Sequence, residues 1–411
     1  MIEFLQATKP LNCFRPSSCF LPMNPSTKEY QKFKILQHWE PTTTVLPPRE
    51  LANPQGKLFP LFVYLYDKTK QEYAHFPLRK DGQNPFIHPL NVVWRLQKAG
   101  IKDEITWCVG LLHDLVEEKV DLYKEEQKID ATSAAGIRLL DTYEGNILEE
   151  LEQNLQRFCQ KTGLDNKVIT EMVKTVQFLT RHKRDFYFRS ISNIFQCRDL
   201  KLKERVIQVK LADRIHNILC IRCFNEEERM YQCYKNLFIL NNTKKFLLDH
   251  YGTQVFSDSV FSPTEKLFNK CCKATYDGFL AICEGTRSHI TKVASMLQLA
   301  FKKFDLQQRG IWMVTRVNPH ETHPVRLYQG IVRKYDARLH HEFRKYEKMK
   351  EEELAYCRRF FADYQFTESQ LKRILDYKDA YALKEVVAYL LYQPQYVTGG
   401  FLYSKLFRKE K

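Results

Sequence analysis

A histidine and an aspartate stand side by side within the run Leu111-Leu112-His113-Asp114-Leu115-Val116-Glu117-Glu118. Ionisable groups set among apolar residues are costly to bury unless something compensates them. A divalent cation does so: it neutralises carboxylates and accepts imidazole as a neutral ligand. Adjacent residues on a helix project about 100° apart. The tips of His113 and Asp114 therefore converge only if an ion sits between their two directions, and its other ligands must come from elsewhere. Glu117 lies four residues after His113, and Glu118 four after Asp114, so both project over the same region of a continuous helix. Two carboxylates so placed can orient water or move protons.

A second run, Val209-Lys210-Leu211-Ala212-Asp213-Arg214-Ile215-His216-Asn217, places another aspartate after apolar residues. Asn217 follows Asp213 by one helical turn and offers a neutral amide to hold a substrate group. A third piece is His88-Pro89, at the opening of a helix. His88 alone reads as a cap or surface histidine, and Asp213-Arg214 alone as a solvated ion pair. Three such motifs on apolar helices favour a shared ion, held by His88, His113, Asp114 and Asp213. Two imidazoles and two carboxylates, with water filling the remaining positions, suit Mn²⁺ best; Mg²⁺, Fe²⁺ and Zn²⁺ are further candidates. Such an ion lowers the pKa of water and offsets charge on phosphorus, which is phosphohydrolase chemistry. His216 reads as a helix-surface or supporting residue, not a ligand.

The elements that must position these residues are helices. Apolar positions recur every three or four residues over 90–99, 104–118, 134–162, 166–181, 186–197, 203–221 and 228–250. Asp103 reads as the N-cap of the second, with Glu104 in its first turn, and Gly100 closes the first. No strand alternation competes over 59–250, so the fold class is all-α, a helical bundle with an additional C-terminal helical region. Residues 1–58 carry eight prolines and read as an irregular, partly extended arm with a short helix over Gln31–His38. The expected organisation is 1–58 arm, 59–250 catalytic bundle and 251–411 C-terminal helices of unassigned role. In the last part, 264–304 and 367–393 read as helical, 336–361 as one charged helix, and Ile311–Val314 as a short strand or buried turn.

In their order and wording these motifs resemble the HD metal-dependent phosphohydrolases, and most closely the hydrolase half of RelA/SpoT-type proteins and the small alarmone hydrolases. The resemblance rests on Arg79-Lys80-Asp81-Gly82, Pro85-Phe86-Ile87-His88-Pro89, the His113-Asp114 run and Lys210-Leu211-Ala212-Asp213-Arg214-Ile215-His216-Asn217. It covers about 59–250. It implies His88, His113, Asp114 and Asp213 as metal ligands and Glu117 and Glu118 as the pair that activates water. It implies Arg79 and Lys80 beside the nucleotide base and phosphates, and Asn217 on the nucleotide. The implied reaction removes the 3′-pyrophosphate of guanosine tetra- or pentaphosphate, with Mn²⁺. This chain departs from the pattern in Glu118, where the family has Asp, and in a segment one residue short before His88. Its stretch between Glu118 and Lys210 is long and carries the basic run Arg181, His182, Lys183, Arg184. No synthetase signature follows residue 250.

The 411 residues carry a net charge of +15, a balance that attracts polyanions without choosing among them. The twelve cysteines are scattered through a long chain, which argues for a reducing, cytoplasmic setting over a disulfide scaffold. Cys220 and Cys223 lack a matching pair at zinc-finger spacing; Cys271 and Cys272 read as buried and inert. No apolar run reaches the length of a membrane span. Two alternatives stand beside the leading reading. One is a phosphohydrolase of a nucleoside monophosphate, cyclic nucleotide or dinucleotide phosphate. The other is a non-catalytic nucleotide- or RNA-binding scaffold whose C-terminal helices dock a protein partner.

Overall fold

The computed structural model describes residues 37–398, apart from 183–184, 186, 257–259, 289–292, 307–328 and 340–341, together with residue 402. Among the described residues every regular element is helical and none is a strand, as the periodicity requires. We number the helices α1 Pro48–Leu51, α2 Phe59–Tyr73, α3 Ile87–Ala99, α4 Glu104–Leu112, α5 Leu115–Glu126, α6 Ala134–Thr162, α7 Asn166–Leu179, α8 Tyr187–Gln196, α9 Leu200–Leu219, α10 Glu226–Tyr251, α11 Pro263–Ser288, α12 Val293–Leu306, α13 Gln329–Leu339, α14 Phe343–Phe360 and α15 Glu368–Tyr392. The described chain forms two compact units: one of residues 37–278 and 389–398, the other of residues 279–388.

In the first unit α3 packs against both α4 and α9, and α7 against α4, α6, α8 and α9. Gly100 ends α3 in the left-handed conformation at φ 91°, where its N–H caps the helix. Asp103 is the N-cap residue of α4, and its carboxylate accepts the Thr106 hydroxyl at 2.6 Å. The same carboxylate takes Arg205 Nε at 2.8 Å while Arg205 Nη2 reaches Glu171 Oε2 at 3.0 Å, so one guanidinium joins α4, α7 and α9. Helix α9 is buried on nearly every face. Such a helix belongs at the centre of a bundle.

The approach of α3 to α4 depends on Gly110. A Cβ there would lie 3.0 Å from Val93 Cγ2 and 3.1 Å from Leu96 Cδ1, so only hydrogen fits without displacement. On its other side α3 is tied to the segment before α1. Arg95, fully buried, donates to Asn91 O at 3.0 Å, and Asn91 exchanges hydrogen bonds of 2.9 Å with the backbone of Thr42. Within residues 37–58 the proline-rich stretch holds the short helix α1, with Leu51 buried.

Two expectations are corrected. The helix expected over 104–118 is two helices, α4 and α5, broken at His113 and Asp114. Asp114 sits at φ −110°, ψ −5°, off helical values, as the entry residue of α5. The charged helix expected over 336–361 is likewise two, α13 and α14. The basic residues Lys183 and Arg184, the Ile311–Val314 element and most of the Gln31–His38 helix lie outside the described residues; residues 37 and 38 are not helical.

The second unit is built on α12–α15. Lys334 on α13 is buried; its ammonium lies 2.9 Å from Glu353 Oε2 on α14 and also bonds Asp379 Oδ2 on α15. Such a triad holds only while all its members are present, since removing one leaves charge uncompensated.

Gly110→Val should lower stability by about 1–3 kcal/mol through overpacking. Because it prises α3 from α4, it should also weaken divalent-metal binding. Chemical denaturation and metal titration of the same sample check both; an unchanged midpoint would contradict the packing role of Gly110.

Candidate metal centre

His88 enters from the first turn of α3, and His113 and Asp114 from the α4–α5 break. Asp213 comes from the third quarter of α9. Their ligand atoms all lie within 4.8 Å of one another. His88 Nε2 is 3.1 Å from His113 Nε2, 3.1 Å from Asp114 Oδ2 and 3.4 Å from Asp213 Oδ1; His113 Nε2 is 3.1 Å from Asp114 Oδ2. The helix break is what lets neighbours in sequence reach one point: off the helical path, Asp114 is not held to a projection about 100° from that of His113.

The donor set fits a divalent cation. His113 Nδ1–H donates to Gly110 O at 2.9 Å, so Nε2 is the ring nitrogen that faces the cluster. Burial opposes ionisation of Asp114, yet the charge of His113 and hydrogen bonds from His113 and His88 hold its carboxyl well below the usual range. Burial likewise opposes Asp213, and Lys210, with its Nζ 3.2 Å from Asp213 Oδ2, outweighs it and keeps the carboxyl ionised. His113 is buried, which disfavours its charge, but Asp114 raises its pKa on balance. The half-buried carboxylate of Asp114, the buried one of Asp213 and two buried imidazoles form a group that could bind a metal.

A cleft of about 200 Å³ opens beside the cluster, lined by Asp114, Glu117 and Asp213 on one hand and by Arg181, Lys210, Arg214 and Lys235 on the other. Arg214 is buried and held by Asn236 Oδ1 at 2.6 Å and Gln232 Oε1 at 2.7 Å. The Lys235 ammonium lies 4.6 Å from the ring centres of both Tyr187 and Tyr231. Burial, then the charges of Arg214, Arg181 and Lys210, push its pKa down to about 7. Tyr187, also in the cleft wall, has a buried hydroxyl without a hydrogen-bond partner. Cations crowded together in this way leave room for a polyanion.

The remaining residues singled out from the sequence are distributed unevenly. Glu117 faces the cleft and accepts the backbone N–H of Arg181 at 2.7 Å. Glu118 is more open to solvent and does not line it; desolvation of its crowded carboxyl, then Asp114 and Asp121, raise its pKa to about 7. Asn217 lines the cleft, and its amide donates to Asp213 Oδ1 at 2.5 Å. Arg79 reaches Asn217 Oδ1 at 3.4 Å. Lys80 is turned to the outside and pairs with Glu228 at 2.7 Å. His216, read from the sequence as a surface or supporting residue, is fully buried; its Nδ1 is 2.6 Å from His88 Nδ1. Lys235 carried no sequence signal of its own, and Arg214, though part of the Asp213 motif, read by itself as one half of a solvated ion pair.

The cysteine expectations can also be placed. Cys220 and Cys223 are free and belong to no metal-binding group among the described residues. Cys271 and Cys272 are buried, and burial raises both thiols, Cys271 to about 12. Thiols so protonated are poor nucleophiles. No helix among the described residues is long and apolar enough to cross a membrane.

A stretch of 151 residues is 29% identical to a protein of Mycoplasma pneumoniae named probable guanosine-3′,5′-bis(diphosphate) 3′-pyrophosphohydrolase. The match covers 37% of this chain and only 17% of that relative. No protein-family profile matches the chain, and no solved structure matches it.

The raised pKa of Glu118 has a measurable consequence in the metal-free protein. A carboxyl that ionises at about 7 when folded, against 4.5 as its ordinary value, favours the fold fully below pH 4.5. That contribution fades as pH rises to about 7. Glu118→Gln should therefore flatten part of the loss of thermal stability across this window. Melting curves in chelator at several pH values check it; parallel curves for the two proteins would refute the assignment.

Proposed function

We propose that this chain is a divalent-metal phosphohydrolase of the HD type, acting on guanosine 3′,5′-bis(diphosphate) or a close relative and releasing pyrophosphate. The observation that carries the reading is the meeting of His88, His113, Asp114 and Asp213, drawn from three separate places in the fold. The named relative, whose printed activity is this hydrolysis, supports the substrate. We assign the catalytic domain to residues 59–250.

His88, His113, Asp114 and Asp213 would hold the ion, with Mn²⁺ best suited to the mixed nitrogen and oxygen set. When bound, it lowers the pKa of water and offsets negative charge building on phosphorus. Glu117, fixed by the Arg181 N–H and facing the cleft, is positioned to orient a water and accept its proton. Glu118, with a pKa of about 7, can hold or release a proton near neutrality. The net reaction adds water across the ester bond at the ribose 3′ oxygen. Hydroxide ends on phosphorus, and the proton ends on the departing 3′ oxygen.

The cationic wall receives the phosphates. Lys210, Arg214, Arg181 and Lys235 supply charge that a multiply phosphorylated substrate would neutralise. Arg79 and Asn217, linked to each other, border the same region and would contact the nucleoside. Lys80 would take part only after leaving Glu228.

Two experiments follow. Purified protein should take up Mn²⁺ and release pyrophosphate from guanosine tetraphosphate, in preference to monophosphate, cyclic and dinucleotide phosphate substrates. His113→Ala and Asp114→Ala should each abolish metal uptake and turnover; full activity of either in metal-defined buffer would reject the assignment. Lys235→Gln should raise KM for the tetraphosphate by about tenfold, the loss expected for one charge-assisted hydrogen bond. An unchanged KM would remove Lys235 from the phosphate site.

A further inference from the structure

His88 and His216 meet through their Nδ1 atoms at 2.6 Å, with ring centroids 4.9 Å apart and planes 20° from parallel. Both residues are buried, His216 completely. Two ring nitrogens this close bond only if a single proton lies between them: two protons would clash, and two lone pairs would repel. The location of that proton decides what the far side of each ring can do. If it belongs to His88, then His88 as a neutral imidazole presents a lone pair at Nε2. That Nε2 lies within 3.4 Å of His113 Nε2, Asp114 Oδ2 and Asp213 Oδ1. His216, having accepted at Nδ1, then carries its own proton on Nε2, which is 3.7 Å from Cys220 Sγ, a weak acceptor.

We propose that His216 is a positioning residue for the metal centre: its Nδ1 lone pair takes the Nδ1–H of His88 and so commits His88 Nε2 to the ion. This rests on the metal reading above. The same logic already operates at the neighbouring ligand, where Gly110 O takes the Nδ1–H of His113. The two imidazole ligands are thus oriented by different means, one by a backbone carbonyl of its own helix and one by a second imidazole from α9. Helix α9 then serves the centre twice, through Asp213 directly and through His216 by way of His88. The three-residue spacing brings both onto the face that meets α3.

The test compares two substitutions. His216→Asn places an amide oxygen near the former Nδ1 and keeps the acceptor; His216→Phe keeps a ring of similar size and removes it. Mn²⁺ affinity by titration calorimetry should fall about 10–100-fold in His216→Phe, the usual loss when such a partner is removed. His216→Asn should stay within a few-fold of the parent. Far-UV circular dichroism and melting show whether both are folded. An affinity in His216→Phe equal to that of the parent overturns the proposal, as does an equal loss in both variants, which would mark a packing role. Nitrogen-15 spectra of the histidine-labelled parent provide the second readout. With diamagnetic Zn²⁺ bound, His88 should be protonated at Nδ1, with a through-hydrogen-bond coupling to His216 Nδ1. An unprotonated His88 Nδ1 overturns the proposal. If the parent binds no ion, the phosphohydrolase reading fails; absence of the nitrogen–nitrogen coupling in the ion-free chain then overturns the hydrogen bond independently.

Discussion

Two carboxylates and two imidazoles are gathered in a site closed on most sides by helices, and their mutual compensation governs what surrounds them. Bare, Asp114 and Asp213 would repel each other, and Asp213, taken out of water, would also carry the penalty of a buried charge. Lys210, His88 and His113 counter that cost within the protein. A divalent cation would counter it more fully, because it binds both carboxylates and both imidazole lone pairs together. The close approach of α3 to α4 at Gly110, the break at Asp114 and the burial of α9 all serve this one convergence.

Convergence also sets the character of the cleft. The negative side, nearest the cluster, would hold the ion and orient water. The positive side is fixed chiefly by α9 and α10, where Arg214 is clamped by Gln232 and Asn236 and Lys235 is backed by two tyrosines. In the proposed reading, a cation already held in place would lose little freedom on meeting a phosphate.

The all-α architecture was legible in the sequence because the three- and four-residue periodicity persists from 90 to 250, and α3, α6 and α15 start or end within a few residues of expectation. The four residues that meet in the cluster could be singled out from the sequence by their joint motif order: His113, Asp114 and Asp213 stand beside apolar runs, and His88 alone reads as a cap or surface histidine. What escaped was geometry that periodicity does not encode. Leu111 to Glu118 reads as one helix, since its apolar spacing continues through His113-Asp114; nothing in the residue types announces the break that lets the pair face one point. His216 looked like a surface residue because polar side chains such as Lys203, Arg205, Gln208 and Lys210 are spread around α9, so its sequence marks no single buried face. Lys235 gains its place only from the packing of α10 on α9, and Arg214, although next to Asp213, is fixed by Gln232 and Asn236 of α10.

The central claim is that one cation sits among His88, His113, Asp114 and Asp213. Crystals of the protein grown with Mn²⁺ and measured at the manganese absorption edge test it directly. The expected result is a single strong anomalous peak within ligand distance of the two Nε2 atoms and the two carboxylates. An anomalous peak elsewhere with none at this cluster, or no peak at saturating Mn²⁺, would contradict the account.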